Sequence, residues 1–347
     1  MSSPHSTDPR DADMPHRALP VMDLGPYFAG EPGALEKLAA KWRDACEGVG
    51  FLCLVNHGLP QSEIDKMEDA ARRFHALPAD DKMAIKVDQH QRGFIPGKAT
   101  ILTHSKYDKN TKLDSVECLV VATDYPKDHP AAIAGKQFFS QSQWPADLPG
   151  FQAAVENYMS KVNDLCKSLL PIWAASLDLK PDFFDPYFQK PHNYFRIAKY
   201  PKIPVMEPGE LGLGSHADSG FMTFLPPAKE AGLQVLDVDD TWFWPVVPEG
   251  AIIINIGWFL SRWTNDRFRA TPHRVLPPRN NDRYSLACFV NPSLDAEAEC
   301  LPSCTSPDNP PKYPRQSYWD FFQWYTTRSY AHYGKVGEKV EEKQSNG

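Results

Sequence analysis

Apolar residues are spaced in two distinct ways along this chain. In the first half they recur with a helical period. Leu35, Leu38, Ala39, Trp42, Ala45 and Cys46 stand at i, i+3, i+4, i+7, i+10 and i+11, which predicts an amphipathic helix over 35–46. Gly48 and Gly50 close it, and the continuous apolar run Phe51-Leu-Cys-Leu-Val55 reads as a buried strand. A second helix is expected after Pro60, with Ser62 as its cap and Ile64, Met67, Ala71 and Phe74 on its inner side. A longer helical pattern runs from Phe151 through Val155, Tyr158, Val162 and Leu165 to Leu169, and Pro171 is expected to kink or divide it.

From about residue 190 the period shortens. Phe195–Tyr200, Phe221–Leu225, Gly232–Val238, Trp242–Val247, Ala251–Ile256, His273–Leu276 and Tyr284–Val290 are β-branched and aromatic runs separated by Gly, Pro and Asp. Short strands at that spacing predict a sandwich, a jelly roll or a barrel. Leu19–Leu24 adds a strand near the start, and an aromatic-rich helix is expected over Tyr318–Tyr333, followed by a charged tail. Residues 88–146 carry no clear period, and residues 1–18 read as a disordered tail. The expected organisation is that tail, an N-terminal α/β region over 19–130, helical support over 131–185, a β-rich core over 186–295 and a C-terminal helix and tail over 296–347.

Composition narrows the function. The 347 residues are 42% hydrophobic and 23% charged, with a formal net charge of −7 and no basic stripe. Nucleic acid and anionic membrane are therefore poor partners. The polar, Pro-rich start has no apolar stretch of the secretory kind. Ala251–Leu260 is too short and too interrupted to span a bilayer. Seven scattered cysteines give no zinc pattern, although Cys300 and Cys304 could pair. A reduced, cytoplasmic monomer is the expectation.

Three residues suggest metal chemistry: His216-Ala-Asp218 and, 55 positions later, His273. Two imidazoles and one carboxylate are the facial triad that holds Fe(II) and leaves coordination positions open. On a strand, His-x-Asp puts both side chains on one face. A lone His-x-Asp is common, and eleven histidines make a chance match expected. The surroundings add weight. The pair lies in the small-residue stretch Gly214–Gly220, and ten residues past His273 stands Arg283-Tyr-Ser285. A guanidinium fork and a hydroxyl would hold the far carboxylate of a dicarboxylate. His57, His104 and His192 read instead as structural, His57 in the turn Val55-Asn-His-Gly58.

The order His216-x-Asp218, His273-Arg-Val275, Arg283-x-Ser285 resembles the isopenicillin N synthase-like group of 2-oxoglutarate/Fe(II) oxygenases. Pro20-Val-Met-Asp-Leu24, Val49-Gly-Phe51, Val55-Asn-His-Gly58, Asp114-Ser-Val-Glu117, Tyr200-Pro201 and Asn255-Ile-Gly257 also match, so the likeness spans about 19–292. It implies a mainly β fold with flanking helices around a double-stranded β-helix (jelly-roll, cupin-like) core. It also implies Fe(II), 2-oxoglutarate and O₂, with succinate and CO₂ as coproducts. His216, Asp218 and His273 match the iron ligands, and Arg283, Ser285 and Tyr200 match cosubstrate contacts. Phe289 matches a substrate-pocket position, and Trp258 and Phe195 are further pocket candidates. Ala198 stands where many members carry Asn, which thins the expected cosubstrate contacts. Trp258 stands where members often carry Asp. The implied activity is hydroxylation, desaturation, cyclisation or ring rearrangement of a small organic metabolite, in secondary metabolism. Two alternatives remain at this point: an oxidase of the same fold working without 2-oxoglutarate, and a non-enzymatic jelly-roll binding protein.

Overall fold

The computed structural model describes Arg10, residues 14–99 and residues 112–329. In chain order its sheet strands are β1 (His16–Ala18), β2 (Val21–Asp23), β3 (Phe51–Val55), β4 (Gly93–Ile95), β5 (Glu117–Ala122), β6 (Tyr194–Tyr200), β7 (Leu213–His216), β8 (Met222–Leu225), β9 (Leu233–Leu236), β10 (Trp242–Val246), β11 (Ile252–Ile256), β12 (His273–Val275) and β13 (Arg283–Val290). The helices are α1 (Gly25–Phe28), α2 (Ala34–Glu47), α3 (Gln61–His75), α4 (Ala79–Met83), α5 (Pro130–Ile133), α6 (Phe151–Ser176), α7 (Trp258–Trp263) and α8 (Tyr318–Ser329).

The strands form a jelly roll of two mixed, unclosed sheets. The larger runs β2-β3-β11-β8-β13-β6-β5-β4 and the smaller β1-β10-β9-β12-β7. Both sheets contribute side chains to one cavity between them. On the larger sheet the pleat sorts residues by face. Arg283, Ser285, Ala287 and Phe289 of β13 line the cavity, as do Arg196, Ala198 and Tyr200 of β6. The residues in between point outward, where α3 and α6 pack against β13. Central strands covered on both faces need no polar alternation, which is why Ile252–Ile256 is apolar almost throughout and fully buried.

The outer layer is anchored by aromatic side chains. Trp42 of α2 meets Trp173 of α6 edge to face at 5.0 Å, and both are fully buried. Burying two indoles removes a large apolar area from water and fixes how the helices cross. Glu117 on β5 ties a second corner, with His75 Nδ1 at 2.9 Å and Lys82 Nζ at 3.1 Å from its Oε1.

Several expectations change. Part of the stretch expected as disordered is strand: His16–Ala18 pairs in parallel with Trp244–Val246, and Arg10 Nη1 donates to Ile203 O at 2.7 Å. The helix through Pro171 is continuous. Proline there removes one backbone donor, but Ile172, Trp173 and Ala174 beyond it are fully buried, and that packing outweighs the roughly 3 kcal/mol penalty. Ser62 lies inside α3, whose N-cap is Pro60 without a side-chain bond. Cys300 and Cys304 are both free and buried. The span 88–146 supplies β4 and β5 to the larger sheet. His104, most of residues 1–18 and the expected charged tail lie outside the described residues.

Candidate metal centre

β7 ends at His216 and β12 begins at His273, and the two residues face each other directly across an antiparallel pair. Their rings lie 4.4 Å apart between centroids. Asp218 is not on the strand as expected but two residues past its end, in the turn that leaves β7. The turn folds it back. Asp218 Oδ1 lies 3.5 Å from His216 Nε2 and 3.7 Å from His273 Nε2. One ligand atom from each residue falls within 4.8 Å of the others, a spacing that could hold a metal ion.

Each ligand atom is aimed by a partner behind it. His216 Nδ1 donates to Gly214 O at 2.8 Å, and His273 Nδ1 donates to Thr271 O at 3.1 Å. Because a carbonyl only accepts, both rings carry their proton on Nδ1 and turn the Nε2 lone pair inward. On Asp218, Oδ2 accepts from Asn255 Nδ2 at 2.7 Å and from the Thr223 hydroxyl. Oδ1 is left to face the two imidazoles. Burial alone would raise the Asp218 pKa, but His273, His216 and Asn255 together hold it well below the usual carboxylate range. Burial, reinforced by His216, lowers His273 to about 4. At neutral pH the centre therefore presents a neutral imidazole at 273 and an ionised carboxylate, the protonation states metal ligation requires.

The backbone around Asp218 is held just as closely. Trp258 N donates to Asp218 O at 2.6 Å, and Phe259 N donates to Ser219 O and Gly220 O. The turn thus caps the start of α7. This contact needs two glycines. A Cβ at Gly257 would stand 2.1 Å from Gly220 O, and one at Gly220 would stand 2.0 Å from Asn291 Oδ1. The N-terminal motif Val49-Gly-Phe51 supports the other ligand. Thr271 Oγ1 donates to Val49 O at 2.6 Å, and Phe51 meets the His273 ring edge to face at 5.4 Å.

A cavity opens from the triad and runs between the sheets. Arg283, 4% exposed, lies deep in it. Its Nε donates to Glu230 O at 3.1 Å, and its Cζ stands 5.0 Å from the centre of the Tyr200 ring. Arg283 Nη1 is buried with no hydrogen-bond partner among the described residues. Ser285, Tyr200 and Phe289 line the same cavity, with Phe289 stacked on Tyr194 at 4.3 Å.

Two pocket candidates fall elsewhere. Phe195 sits on the opposite pleat of β6 and stacks on Tyr158 of α6 at 5.4 Å, because its neighbours Tyr194 and Arg196 take the cavity phase. Trp258 does not line the cavity and packs against Phe321 and Trp324 of α8. His57 holds a turn, with Nε2 2.9 Å from Gly250 O and Leu59 N donating to Nδ1. His192 is buried beside Tyr125 and Phe138. Sequence reasoning gave no role to Thr223, although the β-strand alternation Met222-Thr-Phe-Leu225 put one hydroxyl on an otherwise apolar strand.

Two family models match the chain. Residues 19–147 match the N-terminal domain described as non-haem dioxygenase in morphine synthesis, and residues 191–292 match the 2OG-Fe(II) oxygenase superfamily. The chain is similar to the 2-oxoglutarate-Fe(II) type oxidoreductase hxnY of Emericella nidulans, at 32% identity over 94% of each chain. It is also similar to the kihadalactone A synthase LFS of Citrus sinensis, at 32% identity over 85% of this chain and 89% of that one. Among solved structures, a putative 2OG-Fe(II) oxygenase family protein from Caulobacter crescentus superposes with a TM-score of 0.77 at 29% identity, covering 89% of this chain and 98% of that one. These matches span both halves of the chain, and the second of them covers every residue that lines the cavity with the triad. The chain is a member of the 2OG-Fe(II) oxygenase superfamily, in its isopenicillin N synthase-like group: an Fe(II)- and 2-oxoglutarate-dependent dioxygenase that oxidises a small organic molecule with O₂.

Proposed function

We propose that His216, Asp218 and His273 hold the iron, and that Arg283, Ser285 and Tyr200 receive the far carboxylate of 2-oxoglutarate. The observation that carries this reading is the buried Arg283 Nη1, which has no hydrogen-bond partner among the described residues and lies in the cavity that the triad also lines. A buried guanidinium donor left unsatisfied is costly, and a carboxylate between Arg283 and the Ser285 hydroxyl would satisfy it with charge-assisted bonds. The donor set of two imidazoles and one carboxylate suits Fe(II).

Bound iron and 2-oxoglutarate supply O₂ activation, with oxidative decarboxylation to succinate and CO₂ coupled to oxidation of the substrate. The protein's own part is placement. Gly214 O and Thr271 O fix the imidazole tautomers, and Asn255 and Thr223 fix the carboxylate. The apolar walls around Phe289, Leu225 and Val275 exclude water from the reacting face. The oxidation is hydroxylation, desaturation, cyclisation or ring rearrangement of a metabolite, in secondary metabolism. We place the enzyme in the cytoplasm as a monomer without nucleic-acid or membrane partners. Free cysteines and a net charge of −7 support this, and no helix among the described residues is long and apolar enough to cross a membrane.

Anaerobic equilibrium dialysis tests the ligand assignment. The wild type is expected to take up one Fe(II) per chain and Asp218→Ala almost none. Equal uptake by the two proteins would remove the triad from consideration.

A further inference from the structure

Two glycines lie against the side chains proposed to receive 2-oxoglutarate. Gly212 and Gly232 stand just before β7 and β9, on either side of the end of β12. Gly212 N donates to Val275 O, and Leu276 N donates to Gly232 O, each at 2.8 Å. Both glycines are buried and neither has a positive φ, so the backbone itself would accept a side chain at either position. The space would not. A Cβ at Gly212 would stand 2.8 Å from Tyr200 Cδ1 and 3.0 Å from Val275 O. A Cβ at Gly232 would stand 3.0 Å from both Arg283 Cδ and Leu276 O, and 3.1 Å from Arg283 Nε. Carbon atoms in ordinary contact are about 3.5–4.0 Å apart. The carbonyls belong to paired backbone, so the side chains of Tyr200 and Arg283 are what would have to move.

Tyr200 and Arg283 face each other across β6 and β13, with Arg283 Cζ 5.0 Å from the Tyr200 ring centre. The glycines thus give both side chains a bare backbone surface to rest on, a use of glycine where chains approach closely. Arg283 lies along it. Its Nε donates to Glu230 O at 3.1 Å, two residues before Gly232, and its buried Nη1, without a hydrogen-bond partner among the described residues, is left for a ligand in the cavity. Strand pairing fixes how far this surface stands from the triad. Leu276 is three residues past His273, about 10 Å at the usual rise, and Gly212 is four residues before His216, about 13 Å. A side chain at either glycine would take up room at the Arg283 end alone. The distance from the triad to the guanidinium would change, and the triad would not.

We propose that Gly212 and Gly232 are the length determinants of the cosubstrate site. Their missing side chains let Tyr200 and Arg283 lie far enough from the triad to receive a five-carbon 2-oxo diacid, and a methyl group at Gly232 shifts the site towards the four-carbon homologue. Both are positioning residues, acting through Tyr200 and Arg283, and their role rests on the assignment of the iron and 2-oxoglutarate sites given above.

The test uses the full chain, loaded anaerobically with Fe(II) and titrated with oxaloacetate, 2-oxoglutarate and 2-oxoadipate, the four-, five- and six-carbon diacids. The visible band of the chelated 2-oxo acid reports binding. The wild type is expected to bind 2-oxoglutarate about tenfold or more tighter than either homologue, the usual weight of one methylene in a fitted site. Gly232→Ala should take up iron as the wild type does, while its preference for 2-oxoglutarate over oxaloacetate falls about tenfold. In an Arg283→Ala background the same substitution should change 2-oxoglutarate binding little, because the residue it acts through is gone. If the wild type forms no band with 2-oxoglutarate, the site assignment fails and this proposal fails with it. Three results overturn the proposal alone when that band forms and depends on Arg283: 2-oxoadipate binding the wild type as tightly as 2-oxoglutarate, an unchanged preference in Gly232→Ala, or an equal loss from Gly232→Ala with and without Arg283. Should Gly232→Ala fail to fold, the wild-type series and Gly212→Ala, which should lower the same preference through Tyr200, decide.

Discussion

Asn255 touches neither iron nor cosubstrate in the arrangement proposed, yet it fixes which oxygen of Asp218 faces the imidazoles. Asn255→Ala leaves Oδ2 with the Thr223 hydroxyl alone, so Asp218 gains freedom to rotate. Partners of this kind are typically worth about 10–100-fold in metal affinity. The variant is expected to weaken Fe(II) binding by that order while the fold stays intact, as read from anaerobic equilibrium dialysis beside a circular dichroism spectrum. An unchanged iron affinity would mean that the turn, not the side chain, sets Asp218. At this scale the candidate triad and the Arg-x-Ser pair could be picked out in the sequence, because they depend on residue type and spacing. The partners that orient them could not. Thr223 is assigned by which face of a strand it occupies and by what stands across from it, and neither can be counted from a linear string.

At the scale of elements, the helical period of 35–46 and the apolar run of 51–55 reappear as α2 and β3 with nearly the same bounds. The strands from 194 onward do likewise. Several elements escaped, β5, β7 and α7 among them. β5 (Glu117–Ala122) is a plain apolar run, hidden because the polar stretches around it carry no period. β7 is four residues of mostly small side chains, stabilised by pairing with β12 rather than by its own propensity. α7 begins at the end of an apolar stretch that continues from β11, so no change of texture marks the boundary. The helical layer matters because it sets the outer face of the larger sheet. Trp42→Ala should destabilise the protein by about 3–5 kcal/mol, the usual cost of truncating a fully buried indole. Chemical denaturation would show this as a lower midpoint with unchanged slope. A shift below about 1 kcal/mol would mean the α2–α6 contact collapses without cost.

For the whole molecule, strands of the N-terminal region are built into the same sheet as β13 and β6: β3 pairs with β11 and carries β2 at the edge, and β5 pairs with β6 and carries β4 at the other edge. The linear division at residue 130 is therefore a division of sequence, and the sheet runs across it. One electrostatic cluster at this junction centres on Glu117, whose Oε1 also lies 3.9 Å from Lys199 Nζ of β6. The Glu117 pKa is lowered from 4.5 to about 2, burial being outweighed by His75 and Lys82. A carboxylate depressed on folding contributes stability above its unfolded pKa and loses it as the pH falls towards the folded value. The wild type should thus lose about 2–3 kcal/mol through this group between about pH 4.5 and 2. Glu117→Gln should be less stable at neutral pH and lack that part of the acid dependence. Parallel stability profiles for the two proteins across that range would contradict the assignment.

In the arrangement proposed, the cavity holds iron at one end and 2-oxoglutarate between iron and Arg283. Anaerobic titration tests this most directly: Fe(II) is added to the apo-protein, then 2-oxoglutarate, and the weak visible charge-transfer band of a chelated 2-oxo acid is followed. The expected result is a band that saturates at one 2-oxoglutarate per iron, is absent in His216→Ala, and needs far more cosubstrate in Arg283→Ala. Iron uptake without a band, or a band as easily formed in Arg283→Ala as in the wild type, would contradict the account.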